Sequence, residues 1–163
     1  MKYRKEIGVV PVIASVLIFI LCTFLFFVLP GLTQSMIDLQ IGDGVFKARV
    51  ITDESGLEKG LADIDNIDKD QALLMVFSGQ EKWKVSMKNI SKPLDIVWLN
   101  SDKQIVYIVK NISINDETPA YFVPKFPAKY VIGLPYGTVD GKAIMSRKFA
   151  SFQIKTNGGA SDL

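Results

Sequence analysis

The rhythm of apolar positions changes sharply after residue 29. Residues 7–29 contain no charged side chain, and at ~1.5 Å of rise per residue a helix of this length crosses a hydrocarbon core of ~30 Å. From Val45 onward the pattern has period two. Phe46, Ala48 and Val50 alternate with Lys47 and Arg49, as in a half-buried strand. Residues 73–77 form a continuous apolar run of strand length, and Trp83, Val85 and Met87 then alternate with Lys84, Ser86 and Lys88. Residues 96–99 and 104–109 read as a hairpin across the turn-forming Asn100, Ser101, Asp102 and Lys103. Residues 130–134 and 149–154 supply two further strands, separated by Pro135, Tyr136 and Gly137. Between the first two strands, Ser55 is placed to cap a short helix whose Leu57, Leu61 and Ile64 fall at helical spacing.

Many short strands and one brief helix predict a mainly β fold: a small antiparallel barrel or sandwich with one short helix, preceded by a single N-terminal transmembrane helix. The expected organisation is a cytoplasmic stub at 1–6, a membrane helix at 7–29, a tether at 30–44, the β domain at 45–156 and a flexible tail at 157–163. Lys2, Arg4 and Lys5 precede the apolar span, and no further Lys or Arg occurs until Lys47. The excess of positive charge on one flank places the N-terminus in the cytoplasm and the C-terminal domain outside the cell membrane. A cleaved signal peptide is the weaker alternative, because the span is longer than a typical signal core and residues 30–35 offer a poor small-residue cleavage site.

Charge and composition narrow the function. The net charge is +2, but without Lys2, Arg4 and Lys5 the balance turns slightly negative. Nucleic acid is therefore not an expected partner. The bilayer, through residues 7–29, and an extracytoplasmic ligand or protein are the expected ones. Cys22, the single cysteine, lies inside the apolar span, so no intramolecular disulfide can form. The chain has no histidine, which removes the commonest general base and the commonest transition-metal ligand. Any catalysis would have to be His-independent, as in hydrolases that pair Ser with Lys; Ser86 near Lys88 is the arrangement that invites the comparison. The acidic group Asp63, Asp65, Asn66, Asp68 and Asp70 suggests calcium, but its sixth position is Asp68 rather than Gly and its twelfth is Leu74 rather than Glu. It reads as a solvated helix end, and no metal or cofactor is expected.

The segment Met87-Lys88-Asn89-Ile90-Ser91-Lys92-Pro93-Leu94-Asp95-Ile96 resembles the Met-Lys-Asn-Thr-x-x-Pro-Leu-Asp-Ile signature of the domain-of-unknown-function 192 family. Gly60-Leu61, Val76-Phe77, the hairpin, and Tyr130-Val131-Ile132-x-Leu134-Pro135-x-Gly137 follow in the family's order. The resemblance implies a compact β-rich fold, often exported or membrane-tethered, with no established reaction or cofactor. Three positions depart from the family pattern: Val85-Ser86 for Phe-Trp, Gly133 for Glu, and Arg147-Lys148 for Gly-Asp. Within the signature, Lys88, Asn89 and Asp95 form the candidate ligand-binding set, since a cation, an amide and a carboxylate in one bend could hold a small zwitterionic or carbohydrate ligand. The stronger reading is that the same residues simply fix the bend, with Asn89 in a left-handed turn and Asp95 accepting backbone N–H bonds and pairing with Lys88. The expected function is that of a membrane-anchored extracytoplasmic binding or interaction module. A His-independent envelope hydrolase is the first alternative. The second is a pilin-like filament subunit, suggested by residues 8–14.

Overall fold

Alternation of side chains across a strand allows one sheet to bury two separate apolar layers, and the central strands here do so. The computed structural model describes residues 15, 17–20, 23, 36–115 and 117–154. The chain divides into two units, residues 1–34 and 35–163. In the first, the described residues are helical, and among the described residues no helix is long and apolar enough to cross a membrane. Most of the span expected to be a membrane helix lies outside the described residues, as does the expected tail.

The second unit is a seven-stranded mixed sheet with a separate two-stranded ribbon. Its elements in chain order are β1 (Met36–Ile41), β2 (Gly44–Ile51), α1 (Glu54–Lys59), a 3-10 turn (Ala62–Asn66), β3 (Gln71–Glu81), β4 (Val85–Ser86), β5 (Leu94–Leu99), β6 (Ile105–Ile112), β7 (Tyr121–Phe122), β8 (Ala128–Pro135), α2 (Thr138–Gly141) and β9 (Ser151–Phe152). The sheet order is β6-β5-β8-β3-β2-β1-β9, and β4 pairs only with β7. The sheet curls into a half-barrel whose outermost strands meet at one corner, where Gln104 bridges Phe149. There Ile105 and Lys148 share a backbone hydrogen bond, as do Arg147 and Ile105. Arg147 holds a left-handed φ of 68° at this corner, a conformation that glycine adopts without strain.

On the inner face, Leu39, Phe46, Leu74, Val97 and Ile132 form one buried cluster. On the outer face, Leu73, Met75, Ile96, Trp98 and Val131 form another, closed over by Leu61 and Ile64 of the helical segment and by Val85 of the ribbon. Gly133 makes this covering possible: a Cβ there would lie 2.7 Å from Leu61 Cδ2 and 3.2 Å from Ile64 Cδ1. A bulky acidic side chain at this position would displace the turn that covers the outer core.

Three sequence expectations are corrected. The sheet is not wholly antiparallel, because β2 and β3 run parallel, joined by the crossover through α1 and the 3-10 turn. The segment expected as a tether contributes β1, whose Ile37, Leu39 and Ile41 face inward between β2 and β9; their alternation with Asp38 and Gln40 is real but short. Gly42 makes the β1–β2 turn, with φ 56° and only 2.2 Å between a would-be Cβ and the Lys142 carbonyl oxygen. The N-cap of α1 is Asp53, whose carboxylate accepts from Gly56 N–H at 2.9 Å and from Ser55 Oγ at 2.8 Å. A carboxylate accepts both donors at once, so Ser55 becomes a partner of the cap rather than the cap itself.

Candidate functional site

The signature bend runs from the end of β4 into β5 and is held from outside. Met87 N–H donates to the Ala120 carbonyl at 3.0 Å, fixing the bend's start on the segment leading to β7. Asn89 adopts φ 62°, the left-handed turn conformation expected of it, and Ile90 is buried in the outer core. Beyond it, Asp65 of the 3-10 turn reaches across. Its carboxylate accepts from the backbone N–H of Ser91 and of Lys92, each at 2.9 Å, and from the Ser91 hydroxyl. The Lys92 ammonium donates to the Asp65 carbonyl. Burial pushes the Asp65 carboxyl up, but the hydrogen bonds from Ser91 and Lys92 and the Lys92 charge outweigh it and hold the group below its ordinary value. In the sequence this residue reads as part of a solvated acidic helix end; its use as a clamp depends on a contact 26 residues away.

Asp95 lies on the opposite face. It is the buried charged residue of the described core, with no exposed surface, and on β5 it shares the inward parity of Val97 and Leu99. The β5–β6 register slips between Leu94 and Ile96, which pair with Ile112 and Val109. The extra β6 residue leaves a backbone donor without a ladder partner. Asp95 takes it: Oδ1 accepts from Asn111 N–H at 2.7 Å, with Asn111 at φ 57°. Oδ2 accepts from Val139 N–H at 2.8 Å, in the first turn of α2. One carboxylate thus satisfies both the bulge and the helix that plugs the half-barrel. Asp140 fastens the same joint from outside, accepting from Lys110 Nζ at 2.5 Å and Asn111 Nδ2 at 3.0 Å. These bonds, with that from Lys110 the largest cause, keep the Asp140 carboxyl below its ordinary value.

Lys88 and Asn89 are both exposed at the bend, and Asp95 does not join them. Among the described residues no ion pair links Lys88 to Asp95. Lys88 instead lines an open cleft of about 340 Å³ with Ser86, Asn115, Thr118 and Tyr121. The Ser86 hydroxyl accepts from Lys88 N–H at 3.1 Å. A larger recess of about 870 Å³ lies at the start of β1 and the end of β9, lined by Ile37, Asp38, Val50, Phe152 and Ile154.

The two clamps imply an acid sensitivity whose sign is fixed. The carboxyls of Asp65 and Asp140 are both held below the ordinary aspartate value in the folded chain. Their contribution is therefore complete above that value and disappears as pH falls through the lowered folded values. Urea midpoints measured from neutral pH downward should hold level and then fall below about pH 4, with the fall made shallower by Asp65→Asn. A wild-type midpoint that rises on acidification below that point would contradict the clamps.

Residues 37–147 match the model of the DUF192 family, described as uncharacterized. Two solved structures share the fold. A Sinorhizobium meliloti protein described as a candidate transcription regulator aligns with a TM-score of 0.66 at 21% identity, over 74% of this chain and 96% of its own. A Novosphingobium aromaticivorans protein of unknown function aligns with a TM-score of 0.63 at 15% identity, over 72% and 84%. At these identities the likeness carries the fold alone. No curated protein sequence matches the chain.

Proposed function

The chain belongs to the DUF192 family of uncharacterised proteins, and we propose that it is a membrane-tethered domain working outside the cytoplasm as a binding module. The observation that carries the tether is local. Residues 17–20 are helical, and Leu17, Ile18, Phe19 and Ile20 are each more than half exposed, at 58–73%. Four consecutive helical positions point around the whole circumference, and a helix apolar on every side belongs in lipid or in a protein core. Thr23 Oγ1 donates to the Phe19 carbonyl at 2.5 Å, so the polar group is satisfied within the helix, as hydrocarbon surroundings require. The basic stub Lys2, Arg4 and Lys5 then sets the orientation.

For the module itself, the candidate ligand site contracts to the Lys88 and Asn89 side of the bend. A small zwitterionic or carbohydrate ligand would meet the Lys88 ammonium in the cleft beside Tyr121, while Asp95 holds the scaffold beneath. The hydrolase alternative finds less support, because among the described residues the Ser86 hydroxyl is hydrogen-bonded by the backbone N–H of Lys88 and not by its ammonium. Protease added to intact cells is expected to digest the domain beyond residue 35 and leave a membrane-held N-terminal fragment that only detergent releases. Complete protection of the domain, or its release by high salt alone, would overturn this reading.

A further inference from the structure

The ribbon of β4 and β7 gathers cations that are scattered in the sequence. Residues 82–92 and 119–129 together contain six lysines and no acidic residue. Pairing of Val85 with Phe122 and of Glu81 with Ala128 lays residues 82–84 alongside 123–127. Lys82, Lys84, Lys88 and Lys125 are all exposed, and among the described residues none of them forms an ion pair. Between them stand exposed apolar side chains: Tyr121 is 51% exposed, Val123 54% and Phe126 59%. Lys84 Nζ lies 4.7 Å from the centroid of the Tyr121 ring.

The segment is also fastened to the core. Trp83 stacks on Phe77 with centroids 4.4 Å apart and donates from Nε1 to the Gly79 carbonyl at 3.1 Å. Its own carbonyl accepts from Trp98 Nε1 at 3.1 Å. The lysines flanking Trp83 are therefore presented by backbone stapled to the core rather than by a loose loop.

We infer that this surface docks the domain onto an anionic lipid bilayer, with the lysines on headgroup phosphates and Tyr121, Val123 and Phe126 entering the interface. Lysines alone would suit any polyanion. Exposed aromatic and aliphatic side chains among them favour lipid, where the same plane offers phosphate and hydrocarbon. A nucleic-acid backbone would leave Val123 and Phe126 uncovered. Direction within the sheet agrees: β1 is antiparallel to β2, and β2 is parallel to β3. The chain therefore enters β1 at the end where β3 finishes and the lysines begin. The inference rests on the tethered reading only for a bilayer close at hand.

Full-length protein carrying Phe126→Trp, reconstituted in vesicles with acyl-brominated lipids, separates the two claims. Flotation with vesicles of phosphatidylcholine alone reports the tether. Quenching of the introduced indole, taken as the excess over the wild-type signal of Trp83 and Trp98, reports the docking. It should be severalfold stronger when one-third of the lipid is phosphatidylglycerol, and high salt should weaken it. Each Lys→Ala change at 82, 84 or 125 should lower the docked-to-free ratio about fivefold. Flotation with equal excess quenching in both vesicles would overturn the docking while sparing the tether. Flotation only with the anionic vesicles would sustain docking and overturn the tether. Relief of quenching by soluble duplex DNA in preference to salt would reassign the patch to nucleic acid.

Discussion

A fragment that begins at Gly42 is expected not to fold, whereas one spanning residues 36–154 should unfold in a single cooperative transition with a strand-dominated far-ultraviolet dichroism spectrum. The difference is β1. Six β1 residues pair with β2, and Leu39 and Gln40 pair with β9 on the other side. Removing the strand leaves β9, which has only two residues, with no partner along its length. It also uncovers the inner core where Leu39 and Ile41 are fully buried. Those two side chains alone account for about 3 to 6 kcal/mol of burial, to which the loss of two ladders is added. Domain stability is ordinarily only about 5–15 kcal/mol. A fragment from Gly42 with a cooperative urea transition near that of the longer one would show β1 to be an accessory rather than part of the fold.

Asp95→Ala should cost about 3 kcal/mol of domain stability. The carboxylate accepts from a buried backbone donor, Val139 N–H at 2.8 Å, and a part-buried one, Asn111 N–H at 2.7 Å, and each buried donor left unsatisfied costs about 1–3 kcal/mol. Alanine satisfies neither. Asparagine keeps one oxygen but turns an N–H₂ group toward the second donor, so Asp95→Asn should recover only part of the loss. Lys88→Ala, by contrast, removes an exposed side chain with no ion pair among the described residues and should leave stability within about 0.5 kcal/mol. Chemical denaturation of the three variants is the measurement. If Asp95→Ala unfolds at the wild-type midpoint with an unchanged m-value, the carboxylate is not the joint between the β6 bulge and α2.

Local pattern carries a good part of the fold. The unbroken apolar runs Leu73 to Phe77 and Ile96 to Leu99, and the largely apolar Tyr130 to Leu134, identify strands by their length and bounding polar residues, because a strand covered on both faces is apolar throughout. The β5–β6 turn is legible as well: Asn100 Oδ1 accepts from Asp102 N–H at 3.1 Å and Gln104 N–H at 2.8 Å, contacts internal to one short loop. The left-handed Asn89 and the family itself, through its signature, are also within reach of the sequence. What the sequence leaves open is pairing between distant segments. Parallel pairing of β2 with β3 depends on a crossover, not on either strand's alternation. Asp95 and Asp65 are both acidic residues near polar neighbours, yet one is sealed inside the half-barrel and the other clamps a loop from its surface. Only the tertiary partners, Asn111 and Val139 in one case and Ser91 and Lys92 in the other, distinguish them. The lysine surface has the same origin, since neither 82–92 nor 119–129 is unusual until β-pairing sets them side by side and concentrates in one plane a charge that the whole chain averages away.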